Sequence, residues 1–136
     1  MKELPIKIQS IVYHKGLDGL KVLLLKRSPE DGGFWQTVTG TLEINESILE
    51  SRKRELKEEA GIEKANFSDE IYRFSWTKKD YTVVELVYTA EVFSMNVILS
   101  PEHTEYMWLP IKEAIDKVEK QNTKDSLSEF MNIFLK

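Results

Sequence analysis

Between Arg54 and Gly61 the chain reads Arg-Glu-Leu-Lys-Glu-Glu-Ala-Gly, and this spacing constrains what it can fold into more than any other stretch. Glu55, Glu58 and Glu59 stand at i, i+3 and i+4, so on a helix they share one face. Asn45 is read as the N-cap of that helix. Glu46 and Glu50 fall in the first turns, where the macrodipole is positive, and Gly61 is a natural stop. Ile48, Leu49, Leu56 and Ala60 supply the buried stripe. The three acids then occupy the last turns, where the macrodipole is negative. Like charges at this spacing cost a few tenths of a kcal/mol per pair, about 0.2–0.5. An exposed anion at that end costs about 0.3–1 kcal/mol more. A divalent cation reverses the sign of both effects, because hard ions such as Mg2+ prefer carboxylate oxygens. The plainer alternative is a solvated helix face softened by Lys53, Arg54 and Lys57.

The rest of the chain predicts mostly strands. Residues 4–13 alternate through Ile6, Ile8, Ser10 and Val12, and residues 21–27 carry a short apolar run. Pro29, Gly32 and Gly33 mark a loop before a strand over 34–39 that Gly40 ends. Strands over 71–77 and 82–93 are joined by a turn at 78–80, and a strand over 106–109 is closed by Pro110. Helices over 111–120 and 125–135 turn Ile111, Ala114, Ile115 and Val118, then Leu127, Phe130, Met131 and Phe134, inward. Hairpin-like neighbours with one long helical crossover predict an α/β (α+β) fold, a mixed sheet with helices on its faces.

With 136 residues the chain suits a single domain over 1–136. A net charge of −4 without a basic stripe argues against a nucleic-acid polymer as partner. It leaves open a small polyphosphate held through bridging cations. The absence of cysteine excludes disulfides and thiolate metal sites, and a cytoplasmic location is the expectation. No apolar run approaches the roughly 20 residues of a membrane span. Residues 1–13, interrupted by Lys7 and Gln9, are not read as a signal peptide.

Reading outward from the acids gives Gly40, five residues, Glu46, seven residues, then Arg54-Glu55-Leu56-Lys57-Glu58-Glu59-Ala60-Gly61-Ile62. This resembles, at every defining position, the signature of the Nudix hydrolases. The stretches 34–43 and 102–109 are similar to the branch of that family that includes dihydroneopterin triphosphate pyrophosphatases. Thr41 and Asn45 depart from glycines common in the family. The resemblance implies a Nudix-type α/β/α sandwich whose loop–helix–loop motif over 40–62 holds Mg2+, with Mn2+ as a possible substitute. It implies water attack on phosphorus in a nucleoside or pterin triphosphate, with release of pyrophosphate. Dinucleoside polyphosphates and nucleotide sugars are the alternative substrates, and a catalytically silent nucleotide-binding module is the alternative function.

Carried over residue by residue, the metal donors are the Gly40 carbonyl, Glu55, Glu58, Glu59 and Glu102. Either Glu55 or Glu102 takes the proton of the attacking water, with Glu105 a weaker candidate than Glu102. Arg54 points about 100° away from the Glu55 face and orients a glutamate, Glu46 or Glu50; Glu46 otherwise serves as an N-terminal helix charge. Trp35, Phe34 and Trp76 are candidates to stack on a ring, against a core reading that is favoured for Phe34 and Trp108. Lys26 and Arg27 end a strand where they meet phosphates or solvent. His103 is expected at the surface or in a cap, with phosphate contact as its other role. His14 is expected to end the first strand in a structural role. Monomer and homodimer both stay open.

Overall fold

In the computed structural model, which describes residues 3–134, the elements run β1 (Glu3–Gly16), β2 (Gly19–Arg27), β3 (Trp35–Gln36), β4 (Val38–Glu43), α1 (Ile48–Ala60), β5 (Asn66–Lys78), β6 (Tyr81–Glu91), β7 (His103–Pro110), α2 (Ile111–Lys117) and α3 (Gln121–Phe134). A 3-10 turn at Pro29–Asp31 lies in the loop after β2. The end of the last helix, expected at residue 135, falls outside the described residues.

The site is positioned by a split in the sheet. β1 and β2 form a hairpin that pairs from Gly16 with Gly19 up to Tyr13 with Val22, and then the strands part. β4 takes the edge of β1 that this frees, pairing Ser10 with Val38 and Ile8 with Gly40. β3 takes the corresponding edge of β2, pairing Leu25 with Gln36. β6 lies parallel on the other side of β1 and carries antiparallel β5, while β7 runs antiparallel to β2. The sheet is mixed, as the sequence predicts.

Alternation along the central strands sends side chains to two cores. Val12, Leu23, Leu25 and Val38 pack under Leu56 and Ala60 of α1. Ile11, Tyr13, Val22, Leu24 and Val87 pack under α2 and α3 through Ile111, Ala114, Leu127 and Phe130. Helices therefore cover both faces, completing the α/β/α sandwich.

Several boundaries differ from the sequence reading. Ser47, not Asn45, caps α1: its hydroxyl accepts from Glu50 N at 3.0 Å while the Glu50 carboxylate accepts from Ser47 N at 2.8 Å. This is a reciprocal capping box. Asn45 instead makes the preceding turn with φ of 69°. Glu46 thus precedes the helix rather than sitting in its first turn. Leu49 is exposed, and the buried side of α1 is carried by Ser51, Arg52, Glu55, Leu56, Glu59 and Ala60. The predicted strand over 34–39 is two strands, and Gly40 lies inside β4 rather than ending it. β1 continues past His14, whose Nδ1 lies 2.9 Å from the Val92 carbonyl. β5 and β7 begin earlier than predicted, and α2 ends at Lys117.

Candidate active site

Where β1 and β2 part, a cleft of about 500 Å3 opens at the sheet edge. Gly40 of β4 and Glu55, Glu58 and Glu59 of α1 form one wall, Lys7 and Arg27 contribute cations, and Glu102 enters from the loop before β7. Glu55 and Glu59 are each only 8% exposed, whereas Glu58 stands on the rim. Gly40 faces Glu55 so closely that a Cβ there would lie 1.9 Å from the Glu55 carboxyl carbon.

Arg54 organises this wall. Its Nε donates to Glu46 Oε2 at 2.6 Å and its Nη2 to Glu46 Oε1 at 3.0 Å, a two-point grip on one carboxylate. Its Nη1 donates to Glu55 Oε1 at 2.8 Å and Glu58 Oε2 at 3.3 Å, and Nη2 also reaches the Thr41 carbonyl. Arg54 does not point away from the Glu55 face, because a long side chain can fold back past its neighbour. Its glutamate partner on the loop side is Glu46, since Glu50 is occupied by the cap.

The electrostatics follow from burial. Removal from water, followed by the hydrogen bond to Glu55 and the charges of Glu55 and Glu102, pushes the Glu59 carboxyl well above the usual carboxylate range. Burial also raises Glu55, against the pull of Arg54. Glu46 is held low, chiefly by its hydrogen bond from Arg54. Glu59 Oε1 is buried without a hydrogen-bond partner, with His103 Nε2 3.8 Å away. An orphaned carboxylate oxygen, a second buried carboxylate and a glycine that leaves room beside them form an all-oxygen donor set suited to a hard divalent cation. Among the described residues the acids do not already converge into a three-ligand cage, and Glu58 is drawn toward Arg54.

Other predicted residues distribute unevenly. Glu102 is exposed and lines the cleft, whereas Glu105 turns away to Lys26 at 3.5 Å. Arg27 lines the cleft. His103 is buried at 5% exposure, contrary to the surface role expected, with Nε2 3.2 Å from Gln36 Nε2. Burial, then the nearby Arg27 charge, lowers its pKa. Trp35 packs in the core under α2 and α3 and does not line the cleft. Phe34 is not a core residue; it lines a second cavity of about 520 Å3 that shares Lys7, Arg27 and Thr39 with the first and also takes in Trp76. Trp108 packs against the α1 core and donates to the Met95 carbonyl at 3.1 Å.

Sequence reasoning missed Lys7, Thr39, Ser100, Gln36 and Glu85 as cavity-lining residues. One signal was present: Lys7 and Gln9 interrupt one face of a strand whose later residues on that face, Ile11 and Tyr13, are core.

Fold and site together define a class, an α/β/α sandwich that opens at one sheet seam onto a carboxylate cleft flanked by cations. The chain belongs to the Nudix family, for the NUDIX domain model matches residues 11–130. This chain is an enzyme of the Nudix hydrolase class, and hydrolases of this family generally use divalent metal ions. It is 32% identical over 130 residues to a Myxococcus xanthus protein named octanoyltransferase, matching 90% of this chain but only 36% of that longer one. It is 25% identical to dihydroneopterin triphosphate diphosphatase of Haemophilus influenzae, over 89% of this chain and 84% of that protein. It is 32% identical to the asymmetrical bis(5'-nucleosyl)-tetraphosphatase of Sus scrofa, over 70% and 68%. Its fold superposes on the C. elegans Ap4A hydrolase with a TM-score of 0.83 at 22% identity, over 96% of this chain and 97% of that one. Among the described residues no helix is long and apolar enough to cross a membrane.

Proposed function

We propose that this chain, as a single domain, hydrolyses a phosphoanhydride bond of a nucleoside or pterin triphosphate with Mg2+ and releases pyrophosphate. The observation that carries the reading is the pairing of two buried carboxylates, Glu55 and Glu59, against Gly40, facing the cationic wall of Lys7 and Arg27. Glu55, Glu59, the rim acid Glu58, Glu102 and the Gly40 carbonyl are the proposed holders of the metal. Held there, a divalent ion such as Mg2+ would neutralise charge on the phosphoryl oxygens and lower the pKa of water.

The chain's own groups account for the remaining work. Lys7 and Arg27 hold the negative polyphosphate along the cleft. Arg54 fixes Glu55 against Glu46 and so keeps the carboxylate wall in one geometry. Glu102 lines the cleft from the opposite loop and is the better placed base, because Glu55 is already engaged by Arg54. The relatives support a polyphosphate substrate, since two of them are named for a pterin triphosphate and a dinucleoside tetraphosphate. The cysteine-free composition fits a cytoplasmic setting. Turnover with Mg2+ on a panel of nucleoside triphosphates, dihydroneopterin triphosphate, dinucleoside polyphosphates and nucleotide sugars tests the proposal. Pyrophosphate release from a triphosphate is the expected result; binding without turnover on every compound would point to a silent nucleotide-binding module.

A further inference from the structure

The second cavity holds a feature that the hydrolytic reading does not use. Glu85 of β6 stands beside Lys7 of β1 in the parallel register and opposite Phe74 of β5. Its side chain lines the cavity although the residue is only 7% exposed. Gln9 Nε2 donates to Oε2 at 2.9 Å, and Trp76 Nε1 makes a long contact to Oε1 at 3.4 Å. A carboxylate has about four lone-pair sites, so lone pairs remain on both oxygens for whatever enters. Burying a carboxylate is costly unless N–H or O–H donors meet it.

We propose that Glu85 determines which heterocycle the enzyme takes, and that it selects a 2-amino-4-oxo ring, guanine or a pterin. This rests on the reading of the acidic cleft as the polyphosphate site. Such rings present two adjacent N–H donors, the ring N–H and the exocyclic amine, which match the two oxygens of a carboxylate. Adenine and cytosine place a bare ring nitrogen beside their amine and set a lone pair against the carboxylate. Uracil offers one N–H between two carbonyls. Only the 2-amino-4-oxo edge satisfies both oxygens at once. Trp76 and Phe34 line the same cavity and provide aromatic surface for the ring. Lys7, Arg27 and Thr39 border both cavities, so a ring at Glu85 leaves its phosphate chain running past two cations toward Glu55 and Glu59. A cavity of about 520 Å3 is of a size for a heterocycle with its sugar or side chain.

The test compares GTP, ITP, ATP and dihydroneopterin triphosphate on the wild type and on Glu85→Gln, with kcat and KM measured separately. Binding of their non-hydrolysable α,β-imido or α,β-methylene analogues is measured alongside. ITP keeps the ring N–H but lacks the 2-amine. The expected result is a preference of tenfold or more for GTP and the pterin over ITP and ATP, carried by KM and by the analogue affinities. In Glu85→Gln that ratio falls to within about threefold. The pterin arm against the GTP arm separates the two sources of the ring. Equal handling of GTP and ITP by the wild type overturns the proposal without any variant, and so does an unchanged ratio in a folded Glu85→Gln. Analogue binding that depends on Glu85 without any turnover overturns the hydrolytic reading while leaving the ring assignment standing.

Discussion

Replacing Gly40 by alanine separates the chemistry of this site from its stability. Gly40 lies within β4, paired with Ile8, and is not among the glycines of positive φ, so alanine is compatible with the backbone. The three atoms nearest the new methyl all belong to the Glu55 carboxylate. It would sit 1.9 Å from Glu55 Cδ and 2.1 and 2.4 Å from the two carboxylate oxygens, where ordinary contact begins at 3.4 Å. The carboxylate is the far end of a flexible side chain and must retreat by more than an ångström. Retreat breaks the 2.8 Å bond from Arg54. A bond to a charged group contributes about 1.5–3 kcal/mol, while exchanging glycine for alanine inside a strand returns about 0.5–1 kcal/mol. The net loss of stability is therefore about 0.5–2.5 kcal/mol, which leaves the domain folded. Displacing a reacting group by about 1 Å costs on the order of 100-fold in rate. Urea unfolding together with Mg2+-dependent pyrophosphate release measures both quantities on one sample. A Gly40→Ala protein that is folded and turns over at nearly the wild-type rate would refute the reasoning, because Glu55 would then be dispensable where it stands.

Glu58→Gln removes the rim acid and should lower kcat by about 100-fold or more with an unchanged circular dichroism melt, since its side chain is largely exposed. Glu102→Gln should slow turnover more than Glu105→Gln, because Glu102 lines the cleft while Glu105 pairs with Lys26 outside it; steady-state kinetics of the two variants rank them. The Glu46 carboxyl is held below its ordinary value of 4.5 by Arg54, so its contribution to stability is present above pH 4.5 and is lost as pH falls through the lowered value. Unfolding midpoints across pH 2–6 should show that decline in the wild type and less of it in Glu46→Gln. Chelation of divalent ions should abolish turnover, and Mg2+ should restore it without refolding; activity that survives EDTA would exclude the proposed metal.

Much of this architecture is written locally. The acids of α1 are legible because i, i+3, i+4 spacing is set by helix geometry alone, and Gly61 ends the helix with φ of 68° as a left-handed cap. The helix start is also legible, because Ser47 and Glu50 have the spacing of a reciprocal capping box, which outweighs the favourable cap type of Asn45. Arg54 illustrates a limit of spacing arguments, since direction from the helix axis does not bound the reach of a guanidinium. The second cavity was not legible at all. It depends on β1 lying parallel to β6, which brings Lys7 beside Glu85 across 78 positions of sequence and leaves Trp76 at its rim. His103 and Trp35 were misplaced for the same reason, because burial there follows from which strands become neighbours of β2.

Anomalous diffraction from crystals soaked in Mn2+ with a non-hydrolysable triphosphate addresses the carboxylate cleft directly. A peak lying among Glu55, Glu59 and the Gly40 carbonyl, in contact with the triphosphate, is the result this structure predicts. A triphosphate seated along Lys7 and Arg27 with the manganese signal absent from that wall, or found elsewhere, would contradict it.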